Sequence, residues 1–338
     1  MTSTQRRNGS GTARGPRGQA WLVVPGVLAS ACAVFATWLR VVPPTSDELA
    51  KAASFIPYGL VFWVPAVLLL GIATVRSWRH HRPARWPMVV LTLVALAGLT
   101  AGVAWQAPAF IRDRREAVTK PLTVLSLNVA RGADPTAVER ATANADVVVF
   151  VEAPRTWALQ LSQAFRERFG YSAPSMQTFD GGSVIFSRFP VKSDEPLPAS
   201  VGQQWAAVID TPQLGQLRVV GVHPCNPYCG VGPWLRQAAD LRGWLAARDQ
   251  TIPTVVAGDF NSVDDHSTMR DLYADGFHSA ANLAGAGFVR TWPANRRVPP
   301  LIGIDHILVD GRLTATAFST FEVPGTDHLG VQAVVAGT

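Results

Sequence analysis

Cysteine and lysine are scarce in this sequence, and in the first third of the chain so is acid. Three cysteines among 338 residues leave room for one disulfide at most. Lysine supplies 3 of the 30 basic residues, a bias that carries no mechanism. Residues 1–120 hold 4 acids against 14 Lys plus Arg, a balance of +10, whereas residues 121–338 hold 20 acids against 16, a balance of −4. The overall net charge of +6 therefore belongs to the first part. The second part lacks the basic footprint of a processive nucleic-acid enzyme. No internal repeat is visible.

Long apolar runs are confined to the first part. Trp21 to Val42, Phe55 to Val75 and Pro87 to Ile111 each come near the roughly 20 residues that cross about 30 Å of hydrocarbon. Trp21, Trp38, Tyr58, Trp78, Trp86 and Trp105 stand near their ends, as interfacial aromatics do. Buried helices of a soluble domain rarely come as three nearly uncharged spans in a row, and the first run lacks the short core and cleavage site of a signal peptide. The reading is a multi-pass cell-membrane protein whose first partner is the lipid bilayer. It has a disordered cytoplasmic tail at 1–20, a membrane region at 21–111, a linker at 112–119 and a folded domain at 120–338. Cys32 falls inside the first span as a packing residue.

Arginines set the orientation. Arg6, Arg7, Arg14 and Arg17 precede the first span, and Arg76, Arg79, Arg82 and Arg85 lie between the second and third without an acid. The loop between the first two spans has only Lys51, against Asp47 and Glu48. The positive-inside rule makes the tail and second loop cytoplasmic and the folded domain extracytoplasmic. Arg112, Arg114, Arg115 and Lys120, just after the third span, oppose that assignment.

The folded part has a different pattern. Short apolar runs end on polar residues in LTVLSLN, VVVFVE, RVVGVH, TVVAGDFN and LIGID. Strand ends of a packed sheet converge on one edge, so Asn128, Glu152, His223, Asp259, Asn261 and Asp305 are expected in one cleft, joined by Asp327 and His328 of VPGTDH. Carboxylates, amides and imidazoles together suit metal-assisted attack of water on a phosphate ester. Helices are expected from Pro135, with Asp134 as N-cap, to about Ala145, over Thr156 to Arg168, and over Trp234 to Arg248, where Leu235, Ala238, Leu241 and Leu245 recur at helical spacing. Continuous Val/Ile/Leu strands imply burial on both faces.

On GDFNS at 258–262, IDHI at 304–307, TDHLGV at 326–331 and VHP at 222–224, the chain resembles the endonuclease/exonuclease/phosphatase superfamily over about 120–336. The resemblance implies an α/β fold of the deoxyribonuclease I-like kind, a two-sheet sandwich flanked by helices, here preceded by three transmembrane helices. It also implies that Glu152 is the principal metal ligand, with Asn128 orienting a metal-bound water or the phosphate and Asp327 near the metal. His328 becomes a proton-handling group oriented by Asp305, and Arg188 in FSRFP matches a phosphate-contacting arginine of some family nucleases. The acid found two residues after the Asn in some members is missing here, so one metal is favoured over two. His306 reads as an outer-strand residue, and His266, Asp264 and Asp265 as solvated loop residues.

The expected mechanism is in-line hydrolysis of a phosphate ester with Mg²⁺ or Mn²⁺, which hard oxygen ligands select over zinc. Asp259 and the Asp305–His328 pair would position and deprotonate water, while Asn261 and His223 donate hydrogen bonds to phosphorus oxygens. The substrate is a lipid headgroup or envelope phosphate, with nucleic acid as the alternative; the intact polar set argues against an inactive scaffold. No protein partner is predicted. Cys225 and Cys229 bracket Asn-Pro-Tyr directly after His223. A tight disulfide is the first reading in an oxidising compartment, with unlinked thiols or a soft-metal site with His223 as alternatives.

Overall fold

Strands that are valine- and leucine-rich on both faces need cover on both, and the chain meets this by stacking two sheets face to face and laying helices outside. The computed structural model describes residues 19–130, 132–198, 200 and 202–338. The tail expected at 1–20 thus lies, up to residue 18, outside the described residues, as does Arg131.

The helices are α1 (Ala20–Val41), α2 (Asp47–Ala53), α3 (Ile56–Leu60), α4 (Trp63–Arg79), α5 (Arg85–Phe110), α6 (Pro135–Ala141), α7 (Arg155–Ala158), α8 (Gln163–Arg168), α9 (Val231–Ala246), α10 (Ser267–Ala274) and α11 (Ala280–Ala284). The strands are β1 (Leu122–Asn128), β2 (Val147–Ala153), β3 (Tyr171–Ala173), β4 (Gly182–Ser187), β5 (Val191–Pro196), β6 (Trp205–Thr211), β7 (Gly215–Val222), β8 (Thr254–Asp259), β9 (His278–Ser279), β10 (Asp305–Val309), β11 (Leu313–Phe321) and β12 (Gly330–Gly337).

Three segments are long and apolar enough to cross a membrane: Ala20–Val41, Ile56–Arg79 and Arg85–Phe110. The middle one breaks between α3 and α4. Pro65 has no N–H to give to the Val61 carbonyl, so the helix restarts at Trp63. Large apolar side chains such as Leu28, Leu68 and Leu93 are exposed, as lipid-facing residues are. Cys32 is exposed too, so it does not pack between helices as expected.

The chain divides into two compact units. One comprises the described residues to 37 together with 58–103, and the other 38–57 together with 104–338. The second therefore takes in the segment between the first two long helices, where a helix forms that the sequence did not announce: Ser46 caps α2. The stretch expected as a linker at 112–119 is also part of it. Asp113 donates its backbone N–H to Leu283 O at 2.9 Å and Val118 to Gly337 O at 2.8 Å.

Within this unit the sheets are β11-β12-β1-β2-β4-β3 and β5-β6-β7-β8-β10-β9. β1 and β2 run parallel, as do β7 and β8, each pair joined through a crossover helix, α6 and α9 respectively. The inner faces meet in one core that includes Val124, Val149, Val219, Val255 and Val335, all fully buried. α6, α7 and α8 cover the first sheet through Phe150, Trp157 and Phe165. α9 and α10 cover the second through Leu241, Trp244 and Met269.

Two helices fall where the sequence puts them, with different ends. Asp134 caps α6 through Thr136 N at 2.9 Å, and α9 starts at Val231. The single helix expected over Thr156 to Arg168 is two. Ser162 accepts from Phe165 N at 3.1 Å and starts α8 afresh, because a serine side chain competes with the helical backbone for its own donors.

Candidate active site

Parallel order in the central strands brings their C-terminal ends to one edge, and there the polar residues gather. Asn128 ends β1 and pairs with Val151. Asp259 ends β8 directly opposite Asp305, which begins β10. His223 follows Val222, which pairs with Gly258. That glycine is required by the approach: its φ is +152° and a Cβ would stand 2.0 Å from Val222 O.

Glu152 reaches the edge by a different route. The register between β2 and β4 slips between Phe150 and Ala153, and Glu152 sits in the bulge at φ +53°. A bulge re-aims a side chain, here turning a carboxylate out of the buried strand and into the cleft. Ala130 at φ +43° and Asn261 at φ +50° flank the other strands. Left-handed conformations of non-glycine residues cost about 1–3 kcal/mol each, and these three surround one spot.

The side chains form a connected group. Asn128 Nδ2 donates to Glu152 Oε1 at 3.1 Å and to Asp259 Oδ2 at 3.0 Å, while its Oδ1 accepts from Ala130 N at 2.8 Å. His223 Nε2 lies 3.2 Å from Glu152 Oε1 and 3.7 Å from Asp259 Oδ2. His328 Nδ1 is 2.9 Å from Asp305 Oδ2, which leaves Nε2 facing Asp259 Oδ2 at 3.8 Å. Asp327 is at the margin, with Oδ1 3.9 Å from His328 Nε2 and Oδ2 accepting from Trp292 Nε1 at 3.0 Å. Asn261 donates Nδ2 to Pro224 O at 2.9 Å and its backbone N–H to Asp259 Oδ1 at 2.8 Å.

Burial and charge tune these groups. The hydrogen bond from His223 is the main influence on Glu152, and with Asn128 it holds the carboxyl down to about 2 against the opposing effect of burial. Burial pulls His223 down, but the bond to Glu152 and the charge of Asp259 outweigh it and raise the imidazole. Asp259 is raised, first by burial and then by Asp305. His328 resists its own burial because Asp305 and Asp259 face it, and it is pushed up to about 10.

Oxygen donors dominate and a cation would fit. Ligand atoms of Glu152, His223 and Asp259 lie within 4.8 Å of one another, as do those of Asp259, Asp305 and His328. Asp305 Oδ1 is buried without a hydrogen-bond partner, an orphan that polar burial normally forbids. Glu152 keeps its carboxylate partly exposed, at 29%, on a cleft of about 460 Å³. Apart from Glu152 and His223 much of the lining is small or neutral, with Gly181, Gly182, Ser183, Gln203 and Asn226.

Arg188 is not part of this group. It follows Ser187, which pairs with Val147 at the far end of β2. Five strand residues at about 3.3 Å each put roughly 16 Å between the two ends. Arg188 Nη2 donates to Ala143 O at 2.8 Å and its guanidinium lies 5.9 Å from the Phe169 ring centre, a structural role. His266 and Asp265 are not solvated either. His266 is 2% exposed, accepts from Val263 N through Nδ1 at 3.1 Å and packs edge-on against Trp234. Asp265 is buried against Arg40 and Gln106. Asp264 is partly exposed and accepts from the Tyr273 hydroxyl. His306 is buried, with Nε2 2.8 Å from Ser262 O.

Four supporting residues escaped the sequence reading. Thr326 Oγ1 donates to Asn128 O at 2.7 Å and accepts from His328 N at 3.1 Å, tying the last loop to β1. Gln204 Oε1 accepts from His223 N at 2.8 Å. Thr291 accepts from Asp305 N at 3.2 Å, and Trp292 holds Asp327. Only the adjacency of Thr326 to Asp327 and His328 offered any signal.

Cys225 and Cys229 are joined by a disulfide and line the cleft. Reduction should add the mass of two hydrogens and lower the thermal midpoint slightly, since so short a loop gains less than the roughly 3 kcal/mol of a 15-residue one. Full labelling of both thiols in the native, unreduced protein would contradict the bond.

No curated protein sequence matches the chain. Among solved structures, a functionally unknown conserved protein from Enterococcus faecalis is 16% identical, covers 64% of this chain and 100% of its own, and superposes with a TM-score of 0.52. The endonuclease/exonuclease/phosphatase from Bacteroides vulgatus is 15% identical, with coverage of 64% and 99% and a TM-score of 0.51. At such identities these show a shared fold alone. The Endonuclease/Exonuclease/phosphatase family pattern matches residues 125–328, from β1 through His328. That is more than half of the chain, and it includes every member of the cleft group, so the chain belongs to the Endonuclease/Exonuclease/phosphatase family, whose members are phosphate-ester hydrolases.

Proposed function

We propose that this protein is a membrane-anchored, divalent-metal-dependent phosphoesterase acting outside the cytoplasm on lipid-headgroup or envelope phosphates. The observation that carries the hydrolase reading is the convergence of Glu152, Asn128, Asp259, His223 and the Asp305–His328 pair on one cleft. Glu152 would hold Mg²⁺ or Mn²⁺, with Asn128 and Asp327 beside it. Such an ion supplies a Lewis acid for a phosphoryl oxygen. Asp259, its proton affinity raised by burial, takes a proton from water at Oδ2. Asp305 fixes His328 with the charged ring favoured, so that Nε2–H points into the cleft as a donor to a phosphate oxygen. His223 Nε2–H and the second Asn261 amide hydrogen are further donors.

The lipid side of the reading rests on the cleft wall. Cys229 is followed by Gly230 and Val231, whose N–H donates to Asp47 Oδ1 of α2 at 2.7 Å, and Lys51 lies 4.9 Å from the Tyr228 ring centre. α2 is connected on both sides to long apolar helices. The wall is thereby tied to a segment only a few residues along the chain from each of two long apolar helices. The lining, among the described residues, has no lysine or arginine and so offers no track of cations for a polynucleotide backbone. Product analysis of the detergent-solubilised full-length protein with Mg²⁺ tests this, with plasmid DNA, sphingomyelin, phosphoinositides and a generic phosphodiester as substrates. Release of a headgroup or phosphate with DNA intact is expected. Plasmid nicking with a flat response to lipids would decide for a nuclease.

Topology has its own test. The arginine asymmetry, and the packing of the 43–55 segment with the hydrolase domain, both call for an odd number of crossings between the cytoplasmic tail and residue 112. A C-terminal alkaline phosphatase fusion should be active and a cytoplasmic-type fluorescent protein fused there dark. The reverse pattern would overturn the extracytoplasmic assignment.

A further inference from the structure

Four basic residues after the third long helix run against the charge rule that orients the chain. Three of them, Arg112, Arg114 and Arg115, line a second cavity of about 750 Å³ in the larger unit, together with Arg40 and Arg270. Arg40 is in the last turn of α1. Trp105, Pro108 and Ile111, from the end of α5 and the residue after it, supply an apolar wall. Both helix ends emerge on the same bilayer surface if the spans cross, so the cavity is lined by the residues at which two spans end, with guanidinium groups beside apolar surface: Arg40 lies 4.8 Å from the Trp105 ring centre.

The arginines are not all neutralised from within. Arg40 pairs with Asp265, and Arg115 Nε with Asp113 Oδ2 at 2.8 Å. Arg112 donates to the Thr316 carbonyl, and no acid among the described residues pairs with it. Arg270 Nε is buried with no hydrogen-bond partner among the described residues. Asp264, the remaining acid of the cavity, already accepts from the Tyr273 hydroxyl. A buried guanidinium nitrogen without an acceptor is costly, and a phosphate is the bidentate acceptor that arginine suits best.

We infer that this cavity binds the phosphate headgroup of an anionic membrane lipid, with the acyl chains against the α5 end. The site is separate from the hydrolytic cleft, and the inference stands whichever face of the membrane the domain occupies. It also gives the arginines after the third span a purpose other than orientation. Because Asp265 follows Asn261 by four residues and pairs with Arg40, lipid bound here would brace the loop that carries the hydrolytic Asp259 and Asn261.

The test titrates the full-length protein in non-ionic detergent with phosphatidylglycerol or phosphatidylcholine and reads lipid retention by native mass spectrometry. Wild type should retain one phosphatidylglycerol with a preference of about tenfold or more, as expected where several guanidinium groups meet one headgroup. Arg270→Gln should abolish that preference. Arg114→Gln, at an exposed side chain with no risk to the core, should weaken it several-fold. Millimolar inorganic phosphate should leave the bound lipid in place if the apolar wall contributes. Equal retention of the two lipids by wild type, or an unchanged preference in a folded Arg114→Gln protein, would overturn the inference. Displacement of the lipid by inorganic phosphate alone would replace a lipid site with a free-phosphate site.

Discussion

Asp259→Asn should lower turnover at least about 10²-fold on whichever phosphate ester the protein hydrolyses, while leaving metal binding largely intact, as expected for loss of a general acid–base group. The asparagine keeps the shape but cannot take a proton, and it sets an amide against the Asn128 Nδ2 that now donates to Asp259 Oδ2. His328→Ala should cost a similar factor. Asp305 is proposed to act mainly through His328, at 2.9 Å, so removing both should cost little more than His328→Ala alone. Additive losses would remove the pairing. Glu152→Gln should act on a different axis and raise the Mg²⁺ concentration needed for half-maximal rate. Arg188→Gln serves as a control, because that side chain is at the opposite end of its sheet, and its turnover should not change. Near-normal activity in Asp259→Asn on every ester tried would sink the hydrolase mechanism.

The second large effect is on acid stability and comes from a residue outside the chemistry. His266 is fully enclosed, and burial, with His306 and Arg270 nearby, lowers its ring to about 3. A histidine depressed below its ordinary value near 6.5 binds fewer protons folded than unfolded between those two pH values. Stability is therefore full above about pH 6.5 and is lost as pH falls toward 3. At pH 5 the loss is about 2 kcal/mol, from 1.36 kcal/mol per unit over the first unit and a half. His266→Asn retains an acceptor for Val263 N but does not titrate. The drop in thermal midpoint between pH 7 and pH 5, followed by tryptophan fluorescence of the full-length protein in detergent, should be clearly smaller in the variant. His223 and His328, both raised, shift stability the other way over the same interval but do so equally in both proteins, so the difference reports His266. Identical drops would show that this ring is charged in the folded state.

What could be read beforehand was chemical identity and order. Runs ending on Asn128, Glu152, His223, Asp259 and Asp305, with Asp327 and His328 last, pointed to one cleft; parallel order accounts for Asn128, His223 and Asp259, whereas Asp305 begins the antiparallel β10 instead of ending a strand. The helix capped by Asp134 was legible for a local reason, since the cap bond spans two residues. The break at Ser162 is equally local, but a serine competes with a helical pattern only weakly in sequence. Arg188 was misplaced because its motif says nothing about which end of a strand faces the site; only the antiparallel pairing of β4 with β2 answers that. His266 and Asp265 followed a catalytic motif in polar company and read as solvated. Asp265 meets Arg40 and Gln106, more than 150 residues away in the chain, and His266 packs on Trp234, contacts that leave no periodicity to detect.

By itself, then, the sequence determined the class of this protein: three helices apolar enough for a bilayer, a two-sheet hydrolase fold, and the types of residue at its cleft. The helices follow from run length, whereas the fold and its cleft follow from the family resemblance that the ordered motifs carry, and both signals are one-dimensional. The tertiary structure decided how the cleft residues are held. A bulge turns Glu152 out of its strand, Thr326 ties the last loop to β1, and Asp305 selects the His328 nitrogen that faces Asp259. It also decided that the segment between the first two long helices and the residues after the third belong to the hydrolase unit, because hydrogen bonds such as those of Asp47 with Val231 and Asp113 with Leu283 form only once distant stretches meet.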